Sequence, residues 1–478
     1  MEKTPIFTAL QKHIAKSPLS FHVPGHKNGQ VFHPTAMKYF KEILKLDVTE
    51  LTGLDDLHHA SGMIAEAEQL TADLYGVQST SFLVNGSTVG NLAMIMAVCE
   101  EQDVVIVQRN CHKSIIHGLE LVGAKPLFIS PEWDEELLVG SYLSVEKVKQ
   151  TINKYPDVKA IIVTHPNYYG LASKHIEHLV EFAHDKGIPV LVDEAHGAHF
   201  ILGDPFPISA VKANADIVVQ SAHKTLPAMT MGSYLHMQGN IVDHEKVKYY
   251  LSVLQTSSPS YVIMASLDLA RAYLKSLTEE KTFLIPNLIR MREDINKLQG
   301  LSIIESKDPN VIQDPLKVNI RSTQGYSGIQ LQKSLEESGI FPELADINQV
   351  LLILSLTNEQ KQPKIHSLKE ISEIQEGNKP LLYSPASPIQ EMPYTYKELT
   401  KLKKRRISLK EAVGNVSAET ITPYPPGIPL IMKGEEIQGY HIEKLRQLLE
   451  NHYHIQGGSF IKQQELFIYQ GGRQHEKR

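Results

Sequence analysis

From about residue 60 to 235 the chain alternates two hydrophobic patterns. Windows with helical spacing, such as "GMIAEAEQLTADLYG" and "STVGNLAMIMAVC", separate short runs that are apolar almost throughout: "STSFLV", "DVVIVQ", "KPLFIS", "KAIIVTH", "IPVLVDEAH" and "ADIVVQSAHK". The runs are too short for helices and are rich in β-branched residues, so they predict buried strands. In "HIEHLVEFAHDKG", Ile176, Leu179, Val180 and Ala183 recur at helical spacing, and Gly187 stands where a left-handed cap ends a helix. Strands without a polar face, joined by helix-length segments, predict an α/β fold with a mostly parallel central sheet covered on both sides. Ligands of such sheets sit beyond the carboxyl ends of the strands. The polar residues of these runs cluster there.

The pattern changes downstream. To about residue 375, helices such as "YSGIQLQKSLEESG" mix with strands such as "VLLILSL" and predict a smaller α/β domain. "KPLLYSPASPIQEMP", residues 379–393, reads as a Pro-rich linker. Beyond it lie "PYPPGIPL" and an amphipathic helix near "HIEKLRQLLENHY", a C-terminal α+β module. The expected divisions are an arm at 1–55, a large domain at 56–275, a small domain at 276–378, the linker, and the module at 394–478.

Composition narrows the class of protein. A chain of 478 residues with 42% hydrophobic and 21% charged residues has the balance of a globular protein. No run approaches the ~18 apolar residues of a membrane span. The first residues, "MEKTPIFTALQKHIAKS", lack a signal-peptide core, so a cytoplasmic protein is expected. Two cysteines, Cys99 and Cys111, are too few for a disulfide framework. With 48 Lys and Arg against 54 Asp and Glu, the charge of -6 disfavours a nucleic-acid binder. The basic run "KLKKRRISLK", 401–410, reads as a solvated helix face.

Candidate chemistry begins at the end of "ADIVVQSAHK". A lysine closing a strand on the ligand side, partly desolvated, can attack a carbonyl to form an imine. Alone, Lys224 would be an ordinary solvated end residue, but Ser221 and His223 beside it can donate to a phosphate. Asp193 ends "IPVLVD" about one strand-helix-strand unit earlier. A carboxylate there can hold a pyridine nitrogen protonated, or simply cap a turn. "NGSTVGN" joins a strand to a helix, where Gly86 permits a close turn and Ser87, Thr88 and backbone N–H groups face an anion. His112 in "RNCHKS" follows another strand and can lie over an aromatic ring. Each signal is weak singly. Together they place a phosphate cradle, a ring partner, an acid and an imine lysine at consecutive strand ends.

The ordered set "FHVPGHKNG", "NGSTVGN", "RNCHKS", "HPNYYG", "VDEAHGAH", "SAHK" and "PYPPGIPL" closely resembles the ornithine/lysine/arginine decarboxylase family. These are pyridoxal-phosphate enzymes of the aspartate aminotransferase fold, type I. The resemblance implies that Lys224 carries the cofactor imine, Asp193 pairs with the pyridine nitrogen and His112 stacks on the ring. It also implies that Ser87, Thr88, Ser221 and His223 hold the phosphate, with His196 and His199 shaping the site. The implied reaction is α-decarboxylation of arginine, lysine or ornithine to an amine that feeds polyamine synthesis, with Lys224 or His223 returning a proton to the α-carbon. Glu419 is the implied partner of the substrate's distal cation. Ser257 and Ser258 match a segment that reaches the neighbouring subunit's phosphate in relatives, which implies a homodimer with shared active sites. Two departures stand out: Met231 replaces a common Gln, and "TLPAMTMG" replaces the commoner "LGGSLTQS". The first recognisable motif begins near Phe21, so a short form without the receiver-like N-terminal domain of long family members is expected.

Three rivals make testable demands. "VDEAH" is also a magnesium box of helicases, but a Gly-Lys-Ser/Thr loop is absent. "HIEH" and "HGAH" lack the "HExxH" pattern, so no metal is expected. An aminotransferase or lyase on the same cofactor remains the alternative, with Arg290, Arg292 or Arg321 available to clamp a carboxylate.

Overall fold

The computed structural model describes residues 2–358, 389–424, 427–450 and 453–471. The chain forms two compact units, Met1–Val98 with Pro189–Lys281 and Cys99–Ile188 with Thr282–Arg478. The chain-order boundaries proposed above describe succession, whereas these units describe packing. The hydrophobic runs form β1 (Ser79–Leu83), β2 (Val104–Gln108), β3 (Lys125–Ile129), β4 (Val158–Thr164), β5 (Val190–Asp193) and β6 (Ile217–Gln220), followed by β7 (Ser233–Met237), which was not separately predicted.

In the first unit the strand order is β1-β7-β6-β5. β5 and β6 are parallel, with Val192 opposite Val218. β7 is antiparallel to both β6 and β1. The connection, residues 221–232, holds the single helical turn Ala222–Thr225 and no crossover helix, in keeping with an antiparallel return. Helix α1 (Gly86–Val98) buries Val89, Gly90, Ala93, Met94 and Ala97. A Cβ at Gly90 would lie 2.8 Å from Leu83 Cδ1 and 2.9 Å from Val219 Cγ1, so this glycine lets the helix rest directly on the strands. The free edge of β1 is closed by side chains: the Phe82 N–H donates to Glu68 (2.8 Å) and the Val84 N–H to Gln255 (2.8 Å).

In the second unit β2 lies between β3 and β4 and is parallel to both. Helix α2 (Lys113–Val122) follows β2, and α3 (Ile176–His184) bears the predicted apolar face. Gly187 sits at φ 66, with bonds from Gly187 N–H to His184 and Ile188 N–H to Ala183, 2.9 Å each, closing the helix as expected. A separate antiparallel sheet joins Leu301–Ile304, Lys317–Ser322, Val350–Ile353 and Leu344–Ala345. The predicted helix beside it spans Gly328–Glu337 and starts with a capping box between Ser327 and Gln330. Most of the expected linker, 379–388, lies outside the described residues; its end, Ile389–Glu391, pairs with β3.

The C-terminal module packs the predicted helix, Gly439–Glu450, through Ile442, Leu445 and Leu448 against Ile421, Ile431 and Leu466. The basic run differs from expectation. Lys404–Ser408 is a solvated strand paired with Glu465–Tyr469, not a helix face. Arg406 binds Glu465 at 3.2 Å and lies 4.6 Å over the Phe460 ring, so tertiary pairing overrides the helical preference of Lys and Arg.

Candidate active site

The strand ends of the first unit converge as the spacing requires. Asp193, the last residue of β5, is 3% exposed. Its Oδ2 accepts from Asn91 Nδ2 at 2.9 Å and its Oδ1 from the Ala195 N–H at 3.2 Å. One turn N-terminal to Asn91 on α1, Ser87 Oγ lies 2.7 Å from Ser221 Oγ and donates to Ser233 Oγ at 3.2 Å. Three hydroxyls thus cluster at the N-terminal turn of α1, where backbone N–H groups and the helix dipole favour an anion. β6 ends at Gln220, and a single helical turn, Ala222–Thr225, then carries Lys224. Its Nζ lies 3.0 Å from His196 Nε2.

The segment 225–232 turns back onto the start of α1. Met231 has φ 80, the left-handed region disfavoured for a side chain. Its carbonyl accepts the Gly86 N–H at 2.9 Å, while the Gly232 carbonyl accepts the His223 N–H at 3.1 Å and Nδ1–H at 3.0 Å. Gly86 turns at φ 77, and its N–H is thereby committed to the protein. Thr88 is exposed, and His199 is fully buried with its ring edge against Phe200 and Phe206. Ser257 and Ser258 are exposed; just before them Gln255 binds Val84, and the Thr256 N–H reaches Asn85 Oδ1 at 3.4 Å.

Sequence reasoning missed the layer beneath. Glu194 is fully buried and accepts from Ala210 N–H (2.6 Å), Ser209 Oγ (2.7 Å) and Gln220 Nε2 (2.6 Å); burial pushes it up to about 8. Gln220 Oε1 accepts from His236 Nε2 (3.1 Å), whose Nδ1 accepts from Thr80 Oγ1 (2.9 Å). Burial lowers His236 to about 3, so its ring is neutral in this tautomer. Asn91 had a signal in "NGSTVGN" itself, since it stands four residues from Ser87 on one helix face. Ser233 had none.

The second unit holds His112, the N-cap of α2, with Nδ1 2.8 Å from Ser114 Oγ. Glu419 is half-buried, and its Oε1 accepts the Phe467 N–H at 2.8 Å. Arg292 bonds Glu305 and Arg321 bonds the Asn348 and Glu136 carbonyls, while Arg290 bonds Asn287. Arg109, three residues before His112, is 6% exposed. It donates to the carbonyls of Pro429 (2.8 Å) and Leu430 (3.1 Å) and pairs with Glu435 at 2.9 Å, tying "PYPPGIPL" to the strand end. Among the described residues no group of three or more His, Cys, Asp or Glu is arranged to hold a metal, and no helix is long and apolar enough to cross a membrane.

The donor set fits a phosphorylated pyridine aldehyde: hydroxyls and N–H groups for the phosphate, a buried carboxylate for a ring N–H, and an amine for the aldehyde. A lysine, a buried acid and a cluster of hydroxyls on an α/β scaffold are the groups that amine chemistry on such a cofactor uses. Comparison with known proteins is specific. Residues 4–323 match the Orn/Lys/Arg decarboxylase major domain and residues 382–457 its C-terminal domain. The chain is 35% identical over 474 residues to an arginine decarboxylase of Bacillus subtilis, covering 95% of each. It is 47% identical over 473 residues to the uncharacterized protein YaaO of Bacillus subtilis, covering 98% of each. The crystal structure of the Francisella novicida lysine decarboxylase LdcF superposes with a TM-score of 0.79 at 20% identity, over 98% of this chain and 81% of that one, so the two share a fold. The chain belongs to the Orn/Lys/Arg decarboxylase family, whose members are amino acid decarboxylases and thus carboxy-lyases.

Proposed function

We propose that this chain removes the α-carboxylate of a basic amino acid, with arginine first among arginine, lysine and ornithine, using pyridoxal phosphate. The carrying observation is the convergence of Lys224 with His196, and of Asp193 with Asn91, beside the Ser87, Ser221 and Ser233 hydroxyls. Arginine leads because relatives named arginine decarboxylase are 35% and 33% identical, whereas a relative named lysine decarboxylase is 25% identical. Bound pyridoxal phosphate would supply an electron sink for the carbanion left when carbon dioxide departs.

This chain's residues do the rest. Asp193, oriented by Asn91, holds a proton at the pyridine nitrogen. Ser87, Ser221 and Ser233 bind the phosphate, and His112 covers the ring. His196 takes the proton that Lys224 must lose to act as a nucleophile; Lys224 or His223 then delivers a proton to the α-carbon. Glu419 would receive the distal cation. The active unit is a homodimer in the cytoplasm, with Ser257 and Ser258 serving the partner's phosphate, and the amine product feeds polyamine synthesis.

The test is direct. Purified protein should show a visible absorption band that borohydride removes and Lys224→Ala lacks, and should release carbon dioxide from one of arginine, lysine, ornithine or diaminopimelate. Accumulation of a keto acid without carbon dioxide would instead establish the aminotransferase alternative.

A further inference from the structure

A second cleft lies wholly within the second unit. It has a cavity volume of about 190 Å³ and is walled by Trp133, Tyr168, Tyr169, Pro131, Pro429 and Leu448. Apolar and aromatic walls of this kind characterise small-molecule sites. Three charged residues line it: Asp346, Lys444 and Arg109, the last already paired with Glu435. Asp346 is fixed in orientation: Oδ2 accepts from the Tyr169 hydroxyl at 2.6 Å, and Oδ1 accepts from the N–H groups of Asn348 (2.7 Å) and Gln349 (2.9 Å). Burial raises the Asp346 carboxyl and lowers the Lys444 ammonium, and each partly counters the effect on the other. Neither belongs to the machinery assigned above.

A carboxylate and an ammonium facing one aromatic-walled space complement a zwitterion, whose ammonium meets Asp346 and whose carboxylate meets Lys444. The walls also select the side chain. Lys317 Nζ already lies 5.8 Å over the Tyr168 ring, and the Arg109 guanidinium lines the same cleft. With Lys444 these make three cations, so a further one is disfavoured by like charge, while an apolar body gains contact with Trp133, the prolines and Leu448.

We propose that this cleft binds a free amino acid with an apolar side chain, at a site separate from that of the basic substrate. The site does not depend on the decarboxylase reading, because it uses no residue of the Lys224 cluster.

Trp133 is the only tryptophan of the chain, so its emission reports on the cleft. Full-length protein is titrated with L-phenylalanine and with L-leucine, following fluorescence and heat. Saturable binding is expected, at least tenfold weaker for phenethylamine and for 3-phenylpropanoate, each of which lacks one charge. Lys444→Met and Asp346→Asn should each weaken binding at least tenfold, and Lys224→Ala should leave it unchanged. Absence of saturable binding overturns the proposal, as does equal binding of a one-charge analogue or of arginine, or loss of binding in Lys224→Ala. If a cleft variant fails to fold, the analogue series on the unaltered protein decides the matter alone.

Discussion

Replacing Arg109 by Met tests whether the clamp on "PYPPGIPL" carries the energy its geometry implies. Methionine keeps most of the volume and removes every donor. Left behind are the Glu435 carboxylate, still held by the Met432 N–H at 2.8 Å, and the carbonyls of Pro429 and Leu430. Glu435 is 6% exposed, so the lost pair is a buried one. Breaking a buried ion pair from one side costs about 3–5 kcal/mol. Orphaned carbonyls add to that, about 1–3 kcal/mol each if neither finds water. The sign of the pH dependence follows from the remaining carboxylate. Burial already raises Glu435, and Arg109 is the main group holding it down. Without Arg109 the native carboxyl holds its proton to higher pH than the unfolded one. Its stabilising contribution is then present below the ordinary carboxyl range and lost as pH rises through the raised native value. His441, 3.8 Å from Glu435, is lowered to about 3, first by burial, a cause that the substitution leaves in place, and second by Arg109, a cause that it removes. Urea unfolding at pH 5 and pH 8 should therefore show a deficit that grows with pH. Adding Glu435→Gln should recover part of it. A deficit below about 1 kcal/mol, the value of an exposed pair, would refute the reasoning, as would strict additivity of the two substitutions.

Asn91→Leu removes the amide that orients Asp193; a hydrogen bond to a charged group is worth about 1.5–3 kcal/mol, so cofactor dissociation should rise roughly 10- to 100-fold. Equilibrium dialysis of pyridoxal phosphate checks this, and unchanged affinity would remove Asn91 from the site. Glu194, raised by burial to about 8 from an ordinary 4.5, keeps its proton in the native state across that interval and loses it when unfolded. Native stability should consequently fall between pH 5 and 8, and Glu194→Gln should flatten the fall in the urea midpoint; an unchanged slope would show that Glu194 is ionised when buried.

Much of the first unit was legible because its chemistry stands at the ends of apolar strands. "ADIVVQSAHK" and "IPVLVD" each combine an uninterrupted β pattern with a polar terminus, and the two ends are brought together by parallel pairing. Ser233 was not legible, since it enters from β7, a strand that the hydrophobic pattern did not single out. Arg109 lay inside a quoted motif, yet its partners at Pro429, Leu430 and Glu435 are 320 to 326 residues away. No local pattern reports contacts of that separation. The run at 401–410 was misread for a related reason: its strand is made by Glu465–Tyr469, and its own composition favours a helix.

Met231 separates two requirements that usually fall on one residue. The contact with α1 uses only its backbone, through the carbonyl that receives the Gly86 N–H, whereas its side chain stays 44% exposed. Any residue able to hold φ near 80 could therefore keep this contact while presenting a different group at the rim. Substitution at this position can accordingly alter the rim's chemistry without dismantling the hydroxyl cluster beneath it.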